Sequence, residues 1–420
     1  MAIDGRKINV LRVTAEKTLF QLMADRLSIM EVEDHAATSP DLLVVADAKG
    51  HLDFSSDQFR LSPDLVDRVR AGLAAVVFDC SSEGMVHSPS RTAQLHSYIE
   101  RTGLPPNRCV YITQDRTYKS NYLAYCRDLG WRQPVTVLNY DYYISLIFRS
   151  SPTKGQRIFN RRLEFYRSRL GHRNKRFLCL NFTPRYHKTL FLLQLLHDDL
   201  WDLGYISFGG FSLRGLRATQ LRKFVSYLNA VEGWGDKPAR LAQLVPELDR
   251  RGQVLFGDLV RTKSDPNRIK APYYDMDLRE HDDSWFTIVS ETEMEGPRRI
   301  TEKSIKPLLS FHPFIVLGNS GSLELIRELG FRTFPGYFDE RYDQEPNPAV
   351  RFEMVVDEVR RLCGLDETKL KRMEEEADDV LVHNARWGLV EMPVVYRETI
   401  DRRLLSEILE VLGPEPIPPA

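Results

Sequence analysis

The sequence predicts an α/β protein built from two doubly wound, parallel-sheet domains. Three observations carry that prediction. Short apolar runs alternate with helical patterns along most of the chain, the βαβα rhythm of a parallel sheet covered on both faces. At 420 residues the chain is longer than one hydrophobic core usually serves. The apolar runs also fall into two series, separated by an Arg-rich helical stretch from Ser150 to Lys175.

In the first series, Asp41 to Ala46 (DLLVVA) reads as a strand and Pro63 to Ala74 has helical spacing. Ala75 to Phe78 is a buried strand running into Asp79-Cys80-Ser81-Ser82-Glu83-Gly84. A helix follows around Arg91 to Thr102, then a strand from Cys109 to Thr113, a helix from Tyr118 to Leu129 and a strand from Val135 to Leu138. The Arg-rich segment reads as a connecting helix ending near Gly171, a residue type common just past helix ends. Arg176 to Phe182 restarts the strand pattern, followed by helix (Thr189 to Leu203), strand (Tyr205 to Phe208) and helix (Arg217 to Val231). Residues 235–283 hold four prolines and no clear period, and read as an irregular insertion. Strands at Trp285 to Val289 and Pro313 to Leu317 follow, each leading into a helix. Arg351 to Leu362, Asp366 to Asn384 and Ile400 to Leu412 close the chain as helices before a Pro-rich tail. The expected domains are 1–172, 173–385 and a trailing segment 386–420.

Composition narrows the class. Lys+Arg (58) and Asp+Glu (59) nearly cancel, so no global field draws the chain to nucleic acid or an anionic bilayer. The five cysteines are scattered without CxxC spacing, which reads as free thiols in a reducing cytoplasm. No signal-peptide h-region and no run of about 18 apolar residues is found, so a cytoplasmic location without a transmembrane segment is expected.

Five groups of residues could carry chemistry. In Thr301-Glu302-Lys303-Ser304-Ile305-Lys306, Thr301 suits a helix cap, Glu302 the first turn, and Lys303 and Lys306 share a face. A carboxylate there can accept from ribose hydroxyls while lysines and helix N–H groups neutralise a diphosphate. A capped surface helix with ordinary charges is the plainer reading. In Asn181-Phe182-Thr183-Pro184-Arg185-Tyr186-His187-Lys188, three cationic or potentially cationic side chains lie where a sheet crevice opens, and Arg185 could hold phosphate oxygens bidentately. A charged turn capping a helix is the alternative. Gly318-Asn319-Ser320-Gly321 forms a strand-to-helix turn that permits close approach by a ligand, or is a plain tight turn. Finally, Glu83 and, second to it, Asp79 stand at the end of a buried strand, where a carboxylate can take a proton from a hydroxyl or simply cap the next helix. The acidic stretch Asp339 to Glu345 could bind a sugar or cation, or be solvated charge; no metal site is assigned.

These segments resemble a family of glycosyltransferase-like proteins of bacteria and their viruses. The likeness rests on NFTPRYHK, an N-x-x-x-R-x-H-[RK] pattern, and on ITEKSIKP, an I-T-E-K-x-x-K-P pattern, with HPFIVLGNSGSLELIRELGF and FDERYD. ITEK is also similar to the donor-site TEK of the α1,3-fucosyltransferases. The resemblance covers residues 176–345 well and the first domain only through its βαβ pattern and the D-x-x-x-E-G element at Asp79 to Gly84. It implies a GT-B arrangement, two Rossmann-like domains facing across a cleft with a C-terminal helix crossing back. It further implies a nucleotide-sugar donor held by Arg185, Lys188, Glu302 and Lys303, with Lys306 in support and the acceptor on the first domain. His187, Thr301 and Gly318-Asn319-Ser320 complete the expected donor set. The expected reaction is metal-independent glycosyl transfer, with the nucleotide-sugar as co-substrate and no further cofactor. A cell-surface glycan and a modified base in viral DNA are the two candidate acceptors; for DNA, Arg149, Lys154, Arg157, Arg161, Arg162, Arg167 and Arg169 would have to form a basic groove. A non-catalytic nucleotide or sugar-phosphate binding protein is the alternative.

Overall fold

The computed structural model describes residues 8–14, 19–24, 29–32, 40–46, 52–55, 59–82, 85–211, 217–254 and 279–413. The chain divides into two compact units. The first comprises Met1–Leu146, Pro297–Arg299 and Val394–Ala420; the second comprises Ile147–Gly296 and Ile300–Pro393.

The sheet of the first unit contains β1 (Ile8–Arg12), β2 (Ile29–Val32), β3 (Leu42–Ala46), β4 (Ala75–Cys80), β5 (Cys109–Thr113) and β6 (Thr136–Asn139), all parallel, in the order β2-β1-β3-β4-β5-β6. Strands β3, β4 and β5 are buried at every position, as expected of unbroken apolar runs covered on both faces. The sequence pattern did not reveal β1 and β2, because Asn9 and Glu31 break their short apolar runs. Proline at the first helical turn starts the helices Pro63–Arg70 and Pro89–Thr102. The second ends on Gly103 in the left-handed conformation (φ 69°). A cluster of rings, Phe54, Phe59, Phe78 and Tyr98, meeting mostly edge to face, fills the face beneath them.

In the second unit β7 (Lys175–Leu180), β8 (Gly204–Ser207), β9 (Ser284–Ser290) and β10 (Phe314–Leu317) form a parallel sheet in the order β10-β9-β7-β8. The chain leaves β7 for β8 on one side and returns through β9 on the other. The strand order therefore reverses between β7 and β9, and a crevice opens at their carboxyl ends. Both sheets are thus Rossmann-like.

The unit boundary differs from the expected 172/173. The helix Pro152–Ser168 belongs to the second unit, where Gly155 lies under the Leu389 carbonyl, Phe159 and Tyr166 stack on Phe311, and Arg162 pairs with Asp282. The trailing segment joins the first unit from Val394, later than the expected 386. There the helix Arg402–Leu412 packs on β5 and β6, the Tyr140 hydroxyl donates to Asp401 (2.8 Å), and Arg108 donates to the carbonyls of Val411 (2.7 Å) and Leu412. The expected helix Asp366 to Asn384 is two, Glu367–Glu376 and Asp378–Arg386. The stretch read as irregular contains the helices Lys237–Ala242, Val245–Arg251 and Arg279–Asp282; its residues 255–278 lie outside the described residues.

Candidate functional site

The crevice between β7 and β9 contains a hollow of about 220 Å³. Arg185, Lys188, Glu302, Lys303 and Lys306 border it, together with Thr183 and Thr292. Two helix N-termini meet there. Arg185 is the residue before the helix Tyr186–His197, and Glu302 opens the helix Glu302–Leu309 behind its cap, Thr301. Both helix starts turn a positive dipole end toward the hollow, the polarity that suits an anion.

Lys188 is 4% exposed, and its ammonium donates to the Ser290 carbonyl (2.9 Å) at the end of β9. Burial, then the charges of Lys303 and Arg185, pull its pKa down to about 7; Glu291 opposes them only in part. Lys303 reaches Thr301 Oγ1 (3.1 Å), Glu302 Oε1 (3.2 Å) and Thr292 Oγ1 (3.3 Å). Arg185 pairs at 3.4 Å with Glu293 and is 45% exposed along its side chain. Burial pushes the Glu302 carboxyl upward, but Lys303, Lys306 and hydrogen bonds outweigh it and hold the pKa below its ordinary value. Cations thus crowd one small space in which two helix dipoles already carry positive ends, an arrangement that a polyanion would relieve.

The remaining expected donor residues serve other purposes. His187 is buried beside the hollow, and its Nε2 donates to the Glu291 carbonyl (3.0 Å). Burial and the Lys188 charge lower its pKa to about 3, so the ring is neutral and supplies no positive charge. Thr301 gives its N–H (3.0 Å) and its hydroxyl (2.7 Å) to the Glu291 carboxylate, so its N–H is not available to a ligand. Gly318, Asn319 and Ser320 do not border the hollow. A Cβ at Gly318 would come within 3.1 Å of the side chains of Glu291 and Val316, so glycine there lets the two pack closely. Asp343 closes the following helix start: its carbonyl accepts from Gly321 N–H (2.7 Å) and Ser320 Oγ (3.0 Å), and its carboxylate from Leu323 N–H (2.9 Å).

The sequence reading gave no role to three residues that build the site. The buried Glu291 carboxylate holds the helix Glu302–Leu309 in place through Thr301 and Ser304 Oγ (2.6 Å). Thr292 extends the rim toward Lys303. Arg351, 2% exposed, ties together three loops by donating to the carbonyls of Gly318 (2.9 Å), Glu345 and Met294. The polar triplet Ser290-Glu291-Thr292 directly after an apolar strand was the available signal for the first two.

In the first unit, Asp79 is buried and its carboxylate is engaged on both oxygens, by Leu19 N–H (2.9 Å), Ser81 N–H (3.1 Å) and Ser81 Oγ (2.6 Å). It fixes the end of β4. Glu83 lies outside the described residues. The acidic stretch is likewise put to structural use: Asp339 pairs with Arg341, and Glu340 accepts from Thr333 Oγ1 (2.9 Å) and Phe334 N–H (2.6 Å). Among the described residues no group of three His, Cys, Asp or Glu side chains is placed to hold a metal ion, and no helix is long and apolar enough to cross a membrane.

No family model and no curated protein matches the chain. Among solved structures, a glycosyltransferase from Rickettsia africae ESF-5 aligns with 97% of this chain and 99% of its own, at 13% identity and a TM-score of 0.43. A likeness that distant lends no weight to a shared activity.

Proposed function

We propose that the protein is a glycosyltransferase, that its second unit holds a nucleoside diphosphate sugar, and that its first unit receives the acceptor hydroxyl. The observation that carries this reading is the convergence of Arg185, Lys188, Lys303 and Lys306 with a carboxylate, Glu302, at the point where the strand order reverses. In this reading Glu302 accepts from the ribose hydroxyls. The diphosphate lies among the four cations and the two helix starts. As the bond from the sugar's anomeric carbon to the phosphate oxygen breaks, negative charge accumulates on the diphosphate. Groups already positioned for it stabilise that charge, by about 3 kcal/mol for each well-placed donor. The cations supply this without a metal. With Asp79 engaged at the end of β4, Glu83 is the carboxylate assigned to take the acceptor's proton.

A neutral glycan is favoured over DNA as acceptor. In the Arg-rich helix, Arg162 is held bidentately by Asp282 (2.6 and 3.2 Å) and Arg169 pairs with Asp283 (3.4 Å), which neutralises part of the basic stripe that a DNA groove would need.

Calorimetry with a panel of nucleoside diphosphates and their sugars tests the donor site. Glu302→Ala should weaken binding about tenfold to a hundredfold, the cost of about one to two charge-assisted hydrogen bonds. Unchanged affinity in a folded variant would refute the assignment. Turnover of a bound sugar, by transfer or slow hydrolysis, separates an enzyme from a protein that only binds.

A further inference from the structure

The hollow of the second unit sets an amine without a counter-ion among fixed cations. Lys188 gives one hydrogen bond, to the Ser290 carbonyl (2.9 Å), and among the described residues it forms no ion pair. Glu291 is the carboxylate whose charge reaches it, but both of its oxygens are used elsewhere. They accept from Thr301 N–H and Oγ1, Ser304 Oγ and Thr292 N–H (3.3 Å). Lys303, by contrast, pairs with Glu302 at 3.2 Å and reaches two threonine hydroxyls.

The other groups facing the Lys188 amine are Arg185 and His187 on its own helix, Lys303 on the helix Glu302–Leu309, and Cys179 on β7. Burial holds the His187 imidazole down to about 3 and pushes the Cys179 thiol up to about 12, so both are neutral near pH 7. An ammonium taken out of water beside two cations, with only a carbonyl to receive it, sheds its proton readily. A desolvated lysine next to another cation is an amine nucleophile at neutral pH. The neutral form keeps two N–H groups and gains a lone pair. Ser290 takes one N–H, which fixes the nitrogen at the wall of the hollow. Around it Arg185, Lys303 and Lys306 supply charge, and Thr183 and Thr292 supply hydroxyls. The cations attract a phosphate, while the lone pair reacts with a carbonyl carbon. A small molecule carrying both groups matches both features. A diphosphate fills the space and recharges Lys188; a monoester seated on Arg185 and Lys303 leaves the amine facing the carbonyl.

We propose that Lys188 is a nucleophilic amine and that this hollow captures phosphorylated aldehydes as an imine, in competition with any nucleotide. The nitrogen bonds to the aldehyde carbon while the C=O π pair moves to oxygen, which takes up the proton that the amine loses. The carbinolamine then loses water. Aldehyde plus amine thus gives imine plus water, with nothing oxidised or reduced. The cations and the amine suffice for this, so the glycosyltransferase reading is not required.

The test treats the full chain with pyridoxal 5′-phosphate, reduces the imine with sodium borohydride to a stable secondary amine, and locates that amine by peptide mass spectrometry. Phosphate-free pyridoxal and competition by inorganic pyrophosphate run alongside. With a pKa of about 7, Lys188 is mostly neutral at about pH 7.5, whereas an exposed lysine is neutral in only about one molecule in a thousand. Its lower basicity offsets part of that advantage, so the adduct should form at Lys188 about tenfold faster than at any other lysine. Pyridoxal should label Lys188 far more slowly, pyrophosphate should block the labelling, and Lys188→Arg should abolish the adduct while keeping the cation. Even labelling over many lysines overturns the proposal, as does preference for Lys303 or Lys306, equal labelling by pyridoxal, or indifference to pyrophosphate. These outcomes are read on the wild type and do not depend on the folding of the variant. Nucleotide binding without an adduct at Lys188 sinks this proposal alone; an adduct at Lys188 without nucleotide binding sinks the donor reading alone.

Discussion

Lys188 concentrates the electrostatic cost of the nucleotide site in one side chain. It is a cation at the start of a helix, buried, and facing Lys303 and Arg185. Its folded pKa of about 7 lies well below the ordinary 10.5. Between those values the unfolded chain holds a proton that the folded chain has released, so stability rises with pH across that window. As pH falls through about 7, the folded protein must charge a buried amine, and the gain is gone. Lys188→Met removes the titration. Urea unfolding from about pH 6 to about pH 10 should show the wild type gaining stability relative to this variant; parallel curves would contradict the account. A bound diphosphate supplies the missing counter-charge, so nucleotide affinity should weaken as pH rises past 7 in the wild type, and Lys188→Met should lose that dependence. The sequence showed Arg185 and Lys188 as neighbours on one turn. It could not show that His187 between them faces inward onto a carbonyl, because burial and tautomer depend on what the fold packs against the ring.

At the scale of elements, the helix Glu302–Leu309 is held by a carboxylate ten positions before its cap. Glu291→Ala would strand the Thr301 N–H and the Thr301 and Ser304 hydroxyls in a buried place, at a cost of about 3 kcal/mol. Denaturant titration should register that loss, and nucleotide affinity should fall with it, since Lys303 and Lys306 ride on the same helix. A stability change below about 1 kcal/mol would show that Glu291 does not anchor the helix. Helix starts were legible where they depend on local chemistry, as at Thr301-Glu302 and Pro63. They stayed open where the partner is remote: the turn Gly318-Asn319-Ser320-Gly321 reads equally as a place of close ligand approach or a plain tight turn, and only the fold shows that distant Asp343 accepts from Gly321 and Leu323 N–H. Long apolar strands were legible from their runs alone. Strands β1 and β2 were not, since their pairing with β3 and with each other, rather than their own pattern, makes them strands.

At the scale of the whole molecule, two α/β units were readable from rhythm and length, while their membership was not. Periodicity marks elements but says nothing of which sheet a helix covers, and Pro152–Ser168 was placed on the wrong side of the boundary for that reason. Net charge is −1, so the attraction of the nucleotide site for its ligand is local. Raising salt should weaken nucleotide binding, measured by calorimetry on the full chain; indifference to salt would argue against a polyanion among Arg185, Lys188, Lys303 and Lys306. Deleting residues 394–420 removes the helix over β5 and β6 and the Asp401 partner of Tyr140. The expected outcome is faster amide exchange across β5 and β6, with protection of β7 and β9 retained.

The return of the last segment to the first unit also bears on biosynthesis. A chain emerging from the ribosome completes all strands of the amino-terminal sheet early, yet must wait for residue 412 before that sheet gains its final cover. The unit that opens earlier in the sequence is therefore completed after the one that follows it. Until the helix Arg402–Leu412 has been made, the flank of β5 and β6 that it covers stays exposed, the kind of surface that chaperones engage on nascent proteins.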